Sequence, residues 1–166
     1  MRRPLEHLLG RSGWDIHAFS GVRAALAKLA EFAPDVILSD VRMPGMTGLE
    51  LLAELNNEDA PPLVLISAHG DISMAVQAMQ DGAYLFLEKP FDPRPLLRVL
   101  RHAAETHRLL STTKRLRAQL SELSGIDRVF GHAAAAQQGL DGSNIRRLTI
   151  VSQMQAKVAL NRHQRV

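Results

Sequence analysis

Residues 36–52 read VILSDVRMPGMTGLELL. An apolar run ends on the carboxylate of Asp40, the turn residues Met43–Pro44–Gly45 follow, and Leu49, Leu52, Ala53 and Leu55 then return at helical spacing. This is a strand, a loop and a helix whose strand closes on an acid. The same grammar extends outward in both directions. Short β-type runs occur at Trp14–Phe19, Leu63–Ser67 and Tyr84–Leu87, beside Val36–Ser39, each the length of a buried parallel strand. Between them Val22, Ala25, Leu26, Leu29 and Phe32 share one helical face, as do Ile72, Val76 and Met79. Pro34, Asn56–Asn57 with Pro61–Pro62, and Gly82 punctuate the helices. The alternation predicts an open parallel α/β sheet with helices on both faces.

Composition agrees with such a domain. The chain has 166 residues, 46% apolar and 22% charged, which is globular and not disordered. Aromatics make up 4%, so aliphatic side chains build the core. There is no cysteine, hence no disulfide framework and no thiolate metal site, as suits a reducing compartment. No apolar run approaches the roughly 20 residues of a membrane helix. The opening MRRPLEHLLG has only a broken apolar stretch, which argues against a signal peptide. The net charge of +3 conceals a split: residues 1–108 carry 11 Lys/Arg against 14 Asp/Glu, residues 109–166 carry 9 against 3. Two regions with different surroundings are expected.

From Pro95 a long helix is predicted, its apolar face made by Leu96, Leu97, Val99, Leu100, Ala103 and Ala104. Leu109, Thr113, Leu116, Leu120 and Leu123 alternate spacings of four and three, an a/d seam suited either to a dimer or to packing on the same domain. Gly125 is the expected stop. Beyond it, Ala133–Ala136 and the GLDGSN of 139–144 read as linker, Ile145–Val151 as a second small strand, and Gln153–Leu160 as helix-prone.

Reactive groups of an open α/β sheet gather at the carboxyl ends of its strands. Those ends carry Asp40, Ser67 and Lys89. A carboxylate, a hydroxyl and an ammonium converging on one edge suit a carboxylate that accepts a phosphoryl group as an aspartyl phosphate. Each residue alone is commonplace; the order and spacing of the three are specific.

The wording LSDVRMPGMTGLELL at 38–52 and LISAHGDISMAVQAMQDGAYLFLEKPF at 65–91, with the helix after Pro95, resembles the receiver domain of bacterial two-component response regulators. It is most similar to receivers of sigma-54-dependent activators of the C4-dicarboxylate-transport type, over about residues 2–108. The resemblance implies a flavodoxin-like doubly wound sheet and a cytoplasmic signalling module that is not an enzyme. It makes Asp40 the phosphoacceptor for a sensor histidine kinase, Ser67 the switch hydroxyl, Lys89 the phosphoryl-contacting lysine and Phe86 the aromatic that changes rotamer on activation. It makes the Arg42 backbone carbonyl and Asp40 ligands of Mg2+, and it implies a cis bond between Lys89 and Pro90 that aims the amine into the site. His69 becomes a loop residue; Met74 and Met79 become core; His102 and His107 do not share a helical face and are not read as metal ligands. Thr47 and Leu85 replace acids common among relatives, at positions that do not carry the phosphoryl chemistry.

One part of the pattern is missing. Relatives carry an acidic pair at the end of a first strand, which would fall before Met1. The first strand is therefore expected to be absent, leaving magnesium too few anionic ligands and the acceptor chemistry impaired. It is the central strand of a 2-1-3-4-5 order, so its loss would leave two apolar edges unpaired. Three resolutions stay open: a start further upstream, a marginal protein, or closure of the gap by Leu148–Val151, which would bring Ser152 and Gln153 to the place of the acids. The resulting division is an incomplete receiver at 1–108, a helical linker at 109–125 and an unassigned basic tail at 126–166. No phosphate loop follows residue 125, so the ATPase and DNA-binding modules of the relatives are not expected, and the chain reads as a truncated regulator. Arg146, Arg147, Lys157, Arg162 and Arg165 carry no recognition helix, so nucleic acid is not an expected partner and solvated charge is the reading. A phosphorylation-independent dimerisation module acting through the last helix and the Leu109–Leu123 seam is the alternative function.

Overall fold

The alternation read from the sequence becomes ten elements in a computed structural model, which describes residues 2–55, 57, 59–68, 72–126 and 145–152. In chain order they are α1 (Arg2–Arg11), β1 (Trp14–Phe19), α2 (Val22–Phe32), β2 (Val36–Asp40), α3 (Gly48–Glu54), β3 (Leu63–Ser67), α4 (Ile72–Gln80), β4 (Leu85–Glu88), α5 (Pro93–Ile126) and β5 (Arg146–Val151). All four strands expected in the first hundred residues form. The last of them sits one residue later than Tyr84–Leu87 suggested, and α5 runs one residue past Gly125.

The strands make one parallel sheet in the order β1-β5-β2-β3-β4. The central position expected to be empty is filled, and the segment that fills it comes from the far end of the chain. β5 pairs with β1 from Trp14↔Arg146 to Phe19↔Val151, and with β2 from Val36↔Leu148 to Ser39↔Val151. Ile150 lies within the sheet, and of the three resolutions the structure adopts the closure. The physical reason is burial on two faces. Leu148 and Ile150 enter the apolar layer shared with Leu9, Trp14, Val36, Leu38, Leu96, Leu100 and Ala104. Val151 enters the opposite layer with Val22, Ile37, Leu51, Leu63 and Leu65. Burying three such side chains stabilises the sheet by roughly 5–9 kcal/mol, at about 1.5–3 kcal/mol each. It also removes two open edges.

Charge holds the entry of this strand. The Arg147 backbone N–H donates to Asp35 Oδ2 at 2.8 Å, and the Asp35 N–H donates to the Arg147 carbonyl at 2.9 Å. Arg108 lies 3.7 Å from Asp35, Arg146 lies 3.6 Å from Glu105, and the Arg146 guanidinium stands 5.9 Å over the Trp14 ring. Arg146 and Arg147, read from sequence as solvated tail charge, are anchors of the sheet. The positions of Lys157, Arg162 and Arg165, and of Gln153–Leu160, lie outside the described residues.

One further expectation changes. The face of α4 that carries Ile72, Val76 and Met79 is turned outward, with Ile72 85% exposed; Ala78 is the buried residue of that helix, and Met79 is therefore surface and not core. Met74 does pack against the core. On α5, Leu96, Leu100, Ala103 and Ala104 are buried as expected, while Leu109, Leu110, Leu116 and Leu120 are exposed.

Candidate functional site

At the carboxyl edge of the sheet three strand ends converge. Asp40 closes β2, Ser67 closes β3, and Lys89 follows Glu88 at the end of β4. A parallel sheet delivers them together because each strand runs in the same direction and stops in the same plane. Lys89 Nζ donates to Asp40 Oδ1 at 2.7 Å, with the Asp40 side chain only 15% exposed. The Lys89 backbone N–H donates to the Ser67 carbonyl at 2.7 Å, which fastens the lysine's backbone to the end of β3. The Lys89–Pro90 bond is cis. Ser67 is buried, and Phe86 lies on β4 against the second apolar layer. Arg42 is exposed in the loop after Asp40.

A fourth group joins them from the other end of the chain. Ser152 Oγ donates to Asp40 Oδ2 at 2.6 Å. Its backbone N–H donates to the Phe19 carbonyl at 2.9 Å, so the end of β5 is fixed to β1 while its side chain reaches β2. Each oxygen of Asp40 thus accepts a hydrogen bond, one from a charged donor. Ser152 stands where the closing strand was expected to bring it. Gln153 and His69 fall outside the described residues.

The loop that shapes the site is built locally. Thr47 caps α3: its hydroxyl accepts the Glu50 N–H at 3.2 Å, and its own N–H donates to Glu50 Oε2 at 2.7 Å, a reciprocal capping box. Hydrogen bonds from the Thr47 backbone and then its hydroxyl hold the Glu50 carboxyl below the usual glutamate range. Gly48 is required by proximity. A Cβ there would stand 2.5 Å from the Asp40 carbonyl oxygen and 3.0 Å from Leu65 Cδ2. Its N–H donates to the Val41 carbonyl at 2.9 Å, so the absence of a side chain lets the helix start press directly on the end of β2.

Whether this site suits a divalent cation is decided by its donors. Magnesium demands a near-octahedral shell of oxygen lone pairs with one or two carboxylates among them. Here the carboxylate at hand is Asp40, whose oxygens are already engaged by an ammonium and a hydroxyl. Among the described residues no group of three or more His, Cys, Asp or Glu is gathered to hold a metal. The described residues of the site do not fit magnesium.

The remaining candidates lie elsewhere. His102 Nδ1 is 2.7 Å from the Tyr84 hydroxyl, and His107 Nε2 is 3.4 Å from the Asp59 carbonyl, both on α5 away from the strand ends. The latch in which Asp35 pairs with the Arg147 backbone and faces Arg108 has no signature in the sequence, because nothing in one dimension pairs residues 112 apart. No helix among the described residues is long and apolar enough to cross a membrane.

Comparison with known proteins places this arrangement. The chain is 39% identical over 140 residues to the C4-dicarboxylate transport transcriptional regulatory protein DctD of Pseudomonas aeruginosa, covering 83% of this chain and 30% of that protein. It is 40% identical over 118 residues to DctD of Rhizobium meliloti, covering 70% of this chain and 26% of that protein. The chain therefore spans less than a third of these curated relatives. Among solved structures it is similar to the receiver domain of NtrX from Brucella abortus, with a TM-score of 0.57 and 35% identity, covering 63% of this chain and 90% of that one. Residues 1–101 match the family model described as the response regulator receiver domain. With the match over those residues and the parallel sheet in agreement, the chain belongs to the response regulator receiver domain family.

Proposed function

We propose that Asp40 is a phosphoacceptor for a sensor histidine kinase in a two-component phosphorelay that governs transcription. The observation that carries this reading is the Asp40 carboxylate at a strand end, 2.7 Å from the Lys89 ammonium. In the transfer, an Asp40 oxygen attacks phosphorus, the bond from phosphorus to the kinase imidazole nitrogen breaks, and an acyl phosphate forms. Lys89 sits where it balances charge on the phosphoryl oxygens, and Ser67 ends the neighbouring strand where its hydroxyl can meet one of them. Phe86, on the strand that leads to Lys89, is the candidate to pass the change to the outer face of the sheet. The reaction is slow compared with relatives that carry an acidic pair, because much of the transition-state charge is left to one lysine.

The test is incubation of the full chain with acetyl phosphate and magnesium, followed by intact-mass measurement. A gain of one phosphoryl group that is lost in Asp40→Asn supports the assignment; no gain over prolonged incubation overturns it.

A second reading is favoured by one observation. Leu109 at 70%, Leu116 at 52% and Leu120 at 65% exposure form an uncovered stripe on α5 beyond the sheet. Such a seam serves a homodimer that forms independently of phosphorylation. Light scattering should then give a dimer that Leu116→Asp with Leu120→Asp converts to monomer, with or without acetyl phosphate.

A further inference from the structure

The acceptor carboxylate is held by two donors of different origin. Lys89 reaches Oδ1 from the end of β4, and Ser152 reaches Oδ2 from the end of a strand supplied by the opposite end of the chain. We infer that Ser152 sets the cation requirement of this site: with a hydroxyl at this position Lys89 is the counter-charge of Asp40 and no divalent cation is needed, whereas a carboxylate there would create a cation site. This rests on the receiver reading for the phosphoryl chemistry, while the cation claim stands on geometry alone.

Three physical points support it. The first is placement. β5 is held on both sides, in register with Phe19 on β1 and Ser39 on β2, and the Ser152 N–H is fixed to the Phe19 carbonyl. Its side chain is therefore delivered beside Asp40 by the sheet itself, and Ser152 is 8% exposed. The second is the direction of the hydrogen bond. At 2.6 Å the Ser152 hydroxyl gives its proton to Asp40 Oδ2, so at this position the site presents a neutral donor and not a second carboxylate to an ion. The third is charge. Asp40 and Lys89 sum to zero at 2.7 Å, and a divalent ion would add two positive charges where no group of three or more acidic or histidine ligands is gathered among the described residues. An aspartate at 152 changes the sum to minus one and places two carboxylates side by side, a repulsion that a hard cation relieves.

The experiment compares the full-length wild type with Ser152→Asp, the uncharged isostere Ser152→Asn, and Ser152→Asp combined with Asp40→Asn. Circular dichroism first establishes that each is folded. Magnesium binding is measured by calorimetry, and thermal midpoints are taken in magnesium chloride and in sodium chloride of equal ionic strength. Binding to Ser152→Asp should be at least about tenfold tighter than to wild type or Ser152→Asn, because charge count tunes such affinities. The midpoint of Ser152→Asp alone should rise with magnesium, as mass action requires of a native-state ligand. The added Asp40→Asn should remove both effects. Acetyl phosphate labelling of the wild type should be the same with magnesium as with a chelator, and that of Ser152→Asp should fall in the chelator.

The inference is overturned if the wild type binds magnesium as tightly as Ser152→Asp, if folded Ser152→Asp binds no better than Ser152→Asn, or if chelation abolishes labelling of the wild type. Absence of labelling in every variant removes the phosphoacceptor reading instead, since calorimetry and melting need no phosphoryl donor and decide the cation independently.

Discussion

β2 and β5 lie side by side in the middle of one sheet and end at the same carboxylate, yet they belong there for different reasons. β2 is buried on both faces, is followed at once by its own loop and helix, and finishes in Asp40. β5 begins with two arginines, carries a buried threonine, and reaches its place after the 34-residue helix α5 and the segment beyond it. A contiguous βα unit declares its strand through local pattern. A strand inserted from afar is accepted because a slot of matching register and polarity is waiting. Its entry is secured by Asp35 and Glu105, its middle by two apolar layers, and its exit by the bond from Ser152 to Asp40.

If β5 is as integral to the core as β2, a charge in its middle should be ruinous. Leu148 is fully buried, and Leu148→Asp is expected to cost about 4 kcal/mol or more, enough to abolish cooperative unfolding in urea. A near-normal transition would show that the sheet tolerates loss of the strand. At the β2 side, Gly48→Ala should cost about 2–3 kcal/mol, because the new methyl must displace the Asp40 carbonyl or the Leu65 side chain. It should also slow acetyl phosphate labelling of Asp40 by moving the strand end.

A smaller effect of opposite sign distinguishes the inserted strand. The Thr149 hydroxyl is buried without a hydrogen-bond partner, so Thr149→Val should stabilise by about 1 kcal/mol in the same denaturation measurement. Destabilisation there would mean the hydroxyl is satisfied in solution. The mildest change concerns the cap of α3. Thr47→Ala should lower stability by about 1 kcal/mol or less at neutral pH. The Glu50 carboxyl is held below its usual range by Thr47, so its contribution is complete above that range and lost as pH falls through the depressed value. The difference between wild type and Thr47→Ala should therefore narrow on acidification, and a widening gap would reverse the assigned sign.

Much of the candidate site was legible in the sequence. Asp40, Ser67 and Lys89 are readable because each ends an apolar run of strand length, and parallel strands align their ends. The capping box has a local signature in Thr47 and Glu50, three residues apart. Other features resisted reading because burial is a property of neighbours. The stripe of Ile72, Val76 and Met79 has helical spacing whichever way it faces, and here it faces outward. The arginines at 146 and 147 look like solvated charge until Asp35, Glu105 and Trp14 stand beside them.

Local pattern determined four strands, the direction in which they run and the carboxylate of Asp40 at their edge, since periodicity and chain punctuation act over a few residues. It also established that LTIV at 148–151 has the character of a strand. Only the tertiary structure decided that this strand is the central one, and that a serine, not a carboxylate, completes the grip on Asp40. The decision rests on two apolar edges that are costly to leave open and on a segment that matches both in register, which no window of neighbouring residues contains.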